Sequence, residues 1–179
     1  SIDVPSIYEV PVKMHEQHLD EIIMRLTGLE VKGEPDMAPW MQFLNKMASA
    51  EKEVKIGIVG KYVELPDAYI SIKESLFQAA TYNDHKLNVS YFQSEKINES
   101  NVEEKLKDMD GVIVAPGSGQ RGVEGKNIAL KWCRENDIPT LGICLGMQCM
   151  AVEFARNVLG IADANSTEID PTTTHKVID

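Results

Sequence analysis

Apolar residues recur along this chain at two different spacings, and the change between them divides it. Over residues 12–26, Met14, Leu19, Ile22, Ile23 and Leu26 fall on one side of a predicted helix that Gly28 ends. Ahead of it, residues 1–11 carry Val4, Ile7, Tyr8 and Val10 between Pro5 and Pro11, which reads as a short extended segment. Residues 30–39 hold Gly33, Pro35 and Pro39 among charges, the composition of a linker. Trp40, Phe43, Leu44 and Met47 then define a second amphipathic helix, whose stripe is a packing face, and residues 48–53 close the connection.

From residue 54 onward, short apolar runs alternate with helical stripes. Strands are predicted over 54–60, 87–92, 111–115 and 139–143, and helices over 66–82, 101–107, 124–135 and 146–159, the last stopped by Gly160. Asp67 is placed to cap the N–H groups of residues 68–70, and Tyr69, Ile72, Leu76, Phe77 and Ala80 supply the buried side of its helix. Such alternation predicts an α/β fold, a flavodoxin-like parallel sheet covered by helices on both faces, with its site at the carboxyl ends of the strands. Beyond Gly160 the chain turns polar and irregular, and residues 177–179 resemble the start of a further strand, so the sheet is expected to be incomplete at the C-terminus. The expected organisation is the end of one domain over 1–27, an interdomain linker over 28–53, and the N-terminal part of a second domain over 54–179.

Cys144 stands where the fourth predicted strand turns into its helix. Gly142 and Gly146 flank it at two-residue distance, which suits a sharp strand-to-helix elbow because no Cβ crowds the reversing chain. A thiol there is lifted above the sheet end, and the helix N-terminus favours its anionic, nucleophilic form. Cys133 and Cys149 lack that frame and read as small buried apolar residues. Attack on an acyl carbon would create an oxyanion. The N–H of Leu145 is one donor for it, and Gly117, in the Ala115–Gly119 loop after the third strand, is the candidate for the second. A base is also wanted. His175 is the only histidine after the elbow, and the expected base and its carboxylate partner lie beyond residue 179.

Composition removes several other classes. Lys and Arg number 18 against 28 Asp and Glu, a net charge of −10 that disfavours nonspecific binding to nucleic acid or an anionic membrane. No apolar run approaches the ~20 residues of a membrane span, and no leader pattern opens the chain. Three irregularly spaced cysteines suggest reduced thiols and a cytoplasmic location. His15 and His18 share a predicted helix face beside Glu16 and Asp20 without a third ligand, so no metal site is expected.

The stretch Gly142-Ile143-Cys144-Leu145-Gly146-Met147-Gln148 resembles the nucleophile motif of the class I glutamine amidotransferases. Residues 60–69, 119–126, 155–158 and 164–168, with Asp3–Tyr8 at the start, narrow the resemblance to the CTP synthase family, from Ser1 to Asp179. The resemblance implies that residues 1–27 end an ATP-dependent synthetase domain and that Cys144 hydrolyses L-glutamine through a glutamyl thioester. Gly117 and Leu145 would form the oxyanion hole, and Gly117, Leu145, Gly146, Met147, Gln148 and Glu168 would hold glutamine. It further implies Asp3 and Val4 at the edge of an ATP site, and Arg121 and Glu124 in the stretch linked to the activator GTP. ATP with Mg, UTP as acceptor and a homotetramer belong to the full-length family; this chain itself is expected to hold no cofactor. Where the family has Pro-Gly-Gly-Phe-Gly, this chain has Ala115-Pro116-Gly117-Ser118-Gly119. Alone, the chain is expected to be nearly inactive for want of the base. The alternative reading is a non-catalytic flavodoxin-like binding module that keeps the elbow as scaffold.

Overall fold

In the computed structural model, residues 3–30, 33–65 and 67–179 are described. The chain opens with helix rather than with the extended segment expected. A 3-10 turn at Ile7–Glu9, capped by Ser6, runs into α1 (Val10–Glu16). Pro11 lies in the first turn of α1, where a missing N–H costs nothing, so it starts a helix instead of excluding one.

The single helix expected over 12–26 is two. His18 adopts φ 57° and separates α1 from α2 (Leu19–Thr27), which Gly28 ends at φ 69°. His15, near the end of α1, pairs with Asp20 at 2.9 Å, and His18, at the break itself, pairs with Glu21 at 2.9 Å, so the two do not share a face of one continuous helix. An apolar stripe carries no mark of a single left-handed residue, so periodicity passed over it. Helix α3 (Ala38–Ser49) follows as predicted. Tyr8 ties these pieces to the main body: its ring lies 5.4 Å from Phe43 and 5.3 Å from Phe77, and its hydroxyl donates to Glu74 at 2.7 Å. The Trp40 indole N–H donates to the Tyr8 carbonyl at 2.8 Å.

The sheet is parallel throughout. It comprises β1 (Lys52–Gly60), β2 (His85–Gln93), β3 (Gly111–Val114) and β4 (Thr140–Gly142), in the order β2-β1-β3-β4. The crossovers are α4 (Ile70–Tyr82), α5 (Val102–Leu106) and α6 (Val123–Glu135), and α7 (Leu145–Asn157) leaves β4. Alternation along the strands sends Val59, Val112 and Val114 to one face and Ile58, Ile113 and Ala115 to the other. The first face packs on α5, α6 and α7 through Leu106, Leu130, Leu145 and Cys149, and the second on α4 through Ile72 and Leu76. Helices therefore cover both faces, as the strand-helix alternation predicts.

Two local expectations fail. Asp67 does not cap α4 through its side chain: residues 67–69 form a turn, the Asp67 carbonyl accepts the N–H of Ile70, and the helix begins one turn later than expected. Pro66 lies outside the described residues. Beyond Gly160 the chain is not merely irregular. Ala164–Ser166 forms β5 and pairs in parallel with β6 (His175–Ile178), a separate two-stranded sheet. Three residues of Ala-Asn-Ser are too short and too polar to announce a strand by pattern.

Candidate active site

The carboxyl ends of β1, β3 and β4 meet at one rim, and Cys144 stands there. Its backbone is at φ 55°, ψ −116°, a sparsely populated conformation for a residue with a Cβ. Close packing holds it: Ile143 donates its N–H to the Val114 carbonyl at 3.0 Å, and Met147 and Gln148 donate to the Cys144 carbonyl at 3.0 and 3.2 Å. Both flanking glycines are required by space. A Cβ on Gly142 would lie 2.5 Å from the Gly146 carbonyl carbon, and one on Gly146 would lie 2.8 Å from the Val114 carbonyl carbon and closer still to its oxygen.

Of the three free cysteines, Cys144 is exposed while Cys133 and Cys149 are buried, and burial pushes both buried thiols up to about 11. Leu145 is buried beneath Cys144, and among the described residues its N–H has no acceptor. Gly117 sits at φ 128°, in the region that favours glycine, and a Cβ there would press to 2.9 Å from Lys61 Cε. Gly146 is buried, Met147 exposed and Gln148 half-buried.

Gln148 is the hub of a small polar network that the sequence did not announce. Its amide donates to the Glu168 carboxylate, and its carbonyl accepts the hydroxyl of fully buried Ser166 on β5. Ser166 Oγ also accepts the Glu168 N–H at 3.2 Å. The Gln148 amide first, then the Ser118 hydroxyl, with the Lys61 charge behind them, hold the Glu168 carboxyl below the ordinary glutamate range. Its contribution to stability is complete above the ordinary value near ~4.3 and is lost as pH falls through its own lower value. Gly117, Leu145, Gly146, Met147, Gln148 and Glu168 thus share one rim. Arg121 and Glu124 lie beside it, Arg121 paired with Glu95 at 2.9 Å and over the Tyr62 ring, Glu124 paired with Arg156 at 3.3 Å. Asp3 is exposed and Val4 half-buried in the N-terminal segment.

His175 is exposed on β6 and held by Asp163 at 2.7 Å; among the described residues no hydrogen bond joins any histidine to Cys144. Among the described residues no group of three metal-ligating side chains is present, and none of their helices is long and apolar enough to cross a membrane.

Three residues support the rim: two lysines that carry no sequence signal beyond their position, and Tyr69, expected among the buried residues and buried here. Lys61 is buried and its ammonium donates to the Ser118 carbonyl; Lys126 is fully buried and donates to the Ala115 carbonyl at 2.8 Å. Tyr69 accepts the N–H groups of Lys61 and Tyr62, both at 3.1 Å, and its ring fills the space beside Gly60. Replacing Tyr69 by Phe leaves those two donors without an acceptor, and we expect a loss of about 2 kcal/mol in urea unfolding.

A strand-elbow-helix with an exposed strained cysteine, a glycine loop at the adjoining strand end and a carboxylate across the rim defines a family. The model described as Glutamine amidotransferase class-I matches residues 64–179, and the chain belongs to that family. Its relatives are narrower in kind: over 179 residues it is 60% identical to a CTP synthase of Porphyromonas gingivalis, covering all of this chain and 33% of that one. It is 59% identical to the CTP synthase of Bacteroides fragilis (100% and 34% covered), and 48% identical to that of Carboxydothermus hydrogenoformans (100% and 33%). The chain therefore spans about a third of the length of these relatives. Among solved structures it is similar to the glutaminase domain of Trypanosoma brucei CTPS with bound acivicin, at 38% identity and a TM-score of 0.62, covering 69% of this chain and 48% of the other.

Proposed function

We propose that this chain carries the nucleophile half of a CTP synthase glutaminase site. The observation that carries the reading is Cys144 itself: exposed, at φ 55°, with glycines on both sides that no other residue could replace. In this reading Cys144 Sγ attacks the side-chain amide carbon of L-glutamine, and the carbonyl electrons move to oxygen. Gly117 and Leu145 donate their N–H groups to that oxygen. Collapse breaks the C–N bond and releases ammonia once the nitrogen has gained a proton, leaving a glutamyl thioester that water cleaves to glutamate and free thiol. Gly146, Met147 and Gln148 line the glutamine site, and the charged Glu168 receives the α-ammonium.

With no histidine bonded to Cys144 among the described residues, proton transfer is unassisted in this reading and the chain alone turns glutamine over slowly. The ammonia would go to the amination of UTP. ATP with Mg and tetramer assembly belong, in this reading, to the longer protein; Asp3 and Val4 would border its ATP site, and Arg121 and Glu124, paired here with Glu95 and Arg156, would lie toward the activator GTP.

Substrate protection tests this reading. Saturating L-glutamine is expected to slow iodoacetamide alkylation of Cys144 about tenfold or more, while D-glutamine is not, and Glu168→Gln is expected to lose the protection, in line with the strength of charge-assisted bonds. Alkylation at the same rate with and without L-glutamine would contradict the reading and favour a non-catalytic binding module that keeps the elbow as scaffold.

A further inference from the structure

Lys126 is fully buried on α6, yet among the described residues no carboxylate pairs with it. Its hydrogen bond goes to the Ala115 carbonyl at 2.8 Å. Burial pulls its ammonium below the ordinary lysine range, opposed by the negative charge that Cys149 and Cys144 carry when ionised and aided by the charge of Lys61. An ammonium without a counterion is a poor way to stabilise a core, because an apolar side chain of the same length fills that space without the desolvation cost. Its presence calls for a role at the atom it touches.

That atom is the first carbonyl past β3. The Ala115 N–H is tied to the Val59 carbonyl at 2.9 Å, and the preceding Val114 carbonyl accepts the Ile143 N–H from the elbow at 3.0 Å. Pro116 follows and has no N–H, so the loop's first free donor is Gly117. Two residues past Pro116, the Ser118 carbonyl is held by Lys61. The Gly117 N–H is therefore carried on a short span between two carbonyls, each gripped by a buried ammonium. We infer that Lys126 is a positioning residue: its bond to the Ala115 carbonyl fixes the Ala115–Pro116 peptide plane, and through Pro116, whose ring holds φ, sets the next plane, which aims the Gly117 N–H at the oxyanion formed on a Cys144 adduct. This inference rests on the proposed role of Gly117 and deepens it.

The test compares two reagents on the same thiol. Acylation of Cys144 by p-nitrophenyl acetate passes through a tetrahedral oxyanion; alkylation by iodoacetamide is a direct displacement and forms none. Lys126→Met keeps the volume and removes the donor. We expect acylation of Cys144 to fall about tenfold, less than the loss on deleting an oxyanion donor outright, with alkylation unchanged within twofold. Lys126→Gln keeps an N–H on a shorter arm that reaches the carbonyl less well, so its acylation-to-alkylation ratio should fall between those of Lys126→Met and the wild type. Thermal melting checks that both variants fold. An acylation-to-alkylation ratio in Lys126→Met equal to the wild type, or a parallel fall of both rates, overturns the assignment. So does an unfolded Lys126→Met beside a folded Lys126→Gln of wild-type ratio, since the role is then structural. Neither reagent has a glutamine skeleton, so failure here is distinct from failure of glutamine protection.

Discussion

Replacing Gly146 by Ala is expected to destabilise the chain by about 3 kcal/mol or more, at the upper end for overpacked sites, and to abolish selective labelling of Cys144. The added methyl would meet the carbonyl carbon and oxygen of Val114, which are backbone atoms of a strand paired on both sides and cannot turn away as a flexible side chain could. Either β3 shifts or α7 withdraws, and both carry Cys144 away from the rim. At roughly 2–4 °C per kcal/mol for a chain of this size, the melting temperature should fall by about 6–12 °C. Gly160→Ala is the comparison: open space surrounds that position, so only its φ of 74° opposes the change, at a cost of about 1 kcal/mol. Thermal melts of the two variants side by side, with Cys144 alkylation rates, decide the point. Equal costs would mean that the elbow is not held by close packing.

Arg134→Met should be comparably damaging for a different reason. Glu153 on α7 keeps only 4% of its side chain exposed, and Arg134 on α6 grips it with bonds of 2.8, 3.1 and 3.2 Å, leaving Asn157 as the other partner at 3.2 Å. Without the guanidinium a carboxylate stays buried beside a single amide. Loss of one partner of a buried pair costs about 3–5 kcal/mol, and we place this one near the lower figure because Arg134 is a third exposed. The double variant Arg134→Met, Glu153→Met should recover most of the loss, because two apolar side chains suit that α6–α7 contact. Urea unfolding of the wild type and both variants measures the loss and its recovery; a double variant no more stable than Arg134→Met would contradict this reading.

The parts of the fold visible in the sequence are those built by local periodicity. Four apolar runs gave four strands within two residues at their ends, and Cys144 was recognisable because its two glycines record a backbone requirement directly. Hidden features depend on partners distant in the chain or on one residue's dihedral angles. The break at His18 is a single left-handed residue inside an unbroken stripe. Pro11 reads as punctuation until it is known to lie in a first helical turn. Asp67 has the right chemistry for a cap, but the chain makes a turn first, and Tyr69 takes the N-terminal position of α4. Lys61 and Lys126 are invisible because lysine in an amphipathic stretch signals a solvated face; only the tertiary fold turns both inward against the carbonyls of the Ala115–Ser118 loop. Gln148 and Glu168 were legible only through resemblance, since β5, which supplies the buried Ser166 that joins them, is three residues long.

The most direct test of the central claim is covalent labelling with the diazo-ketone analogue of L-glutamine, followed by peptide mass mapping of all three cysteines. The account predicts adduct on Cys144 alone, with Cys133 and Cys149 unmodified behind burial that raises their thiols to about 11. Modification spread evenly over the three, or none on Cys144, would contradict it.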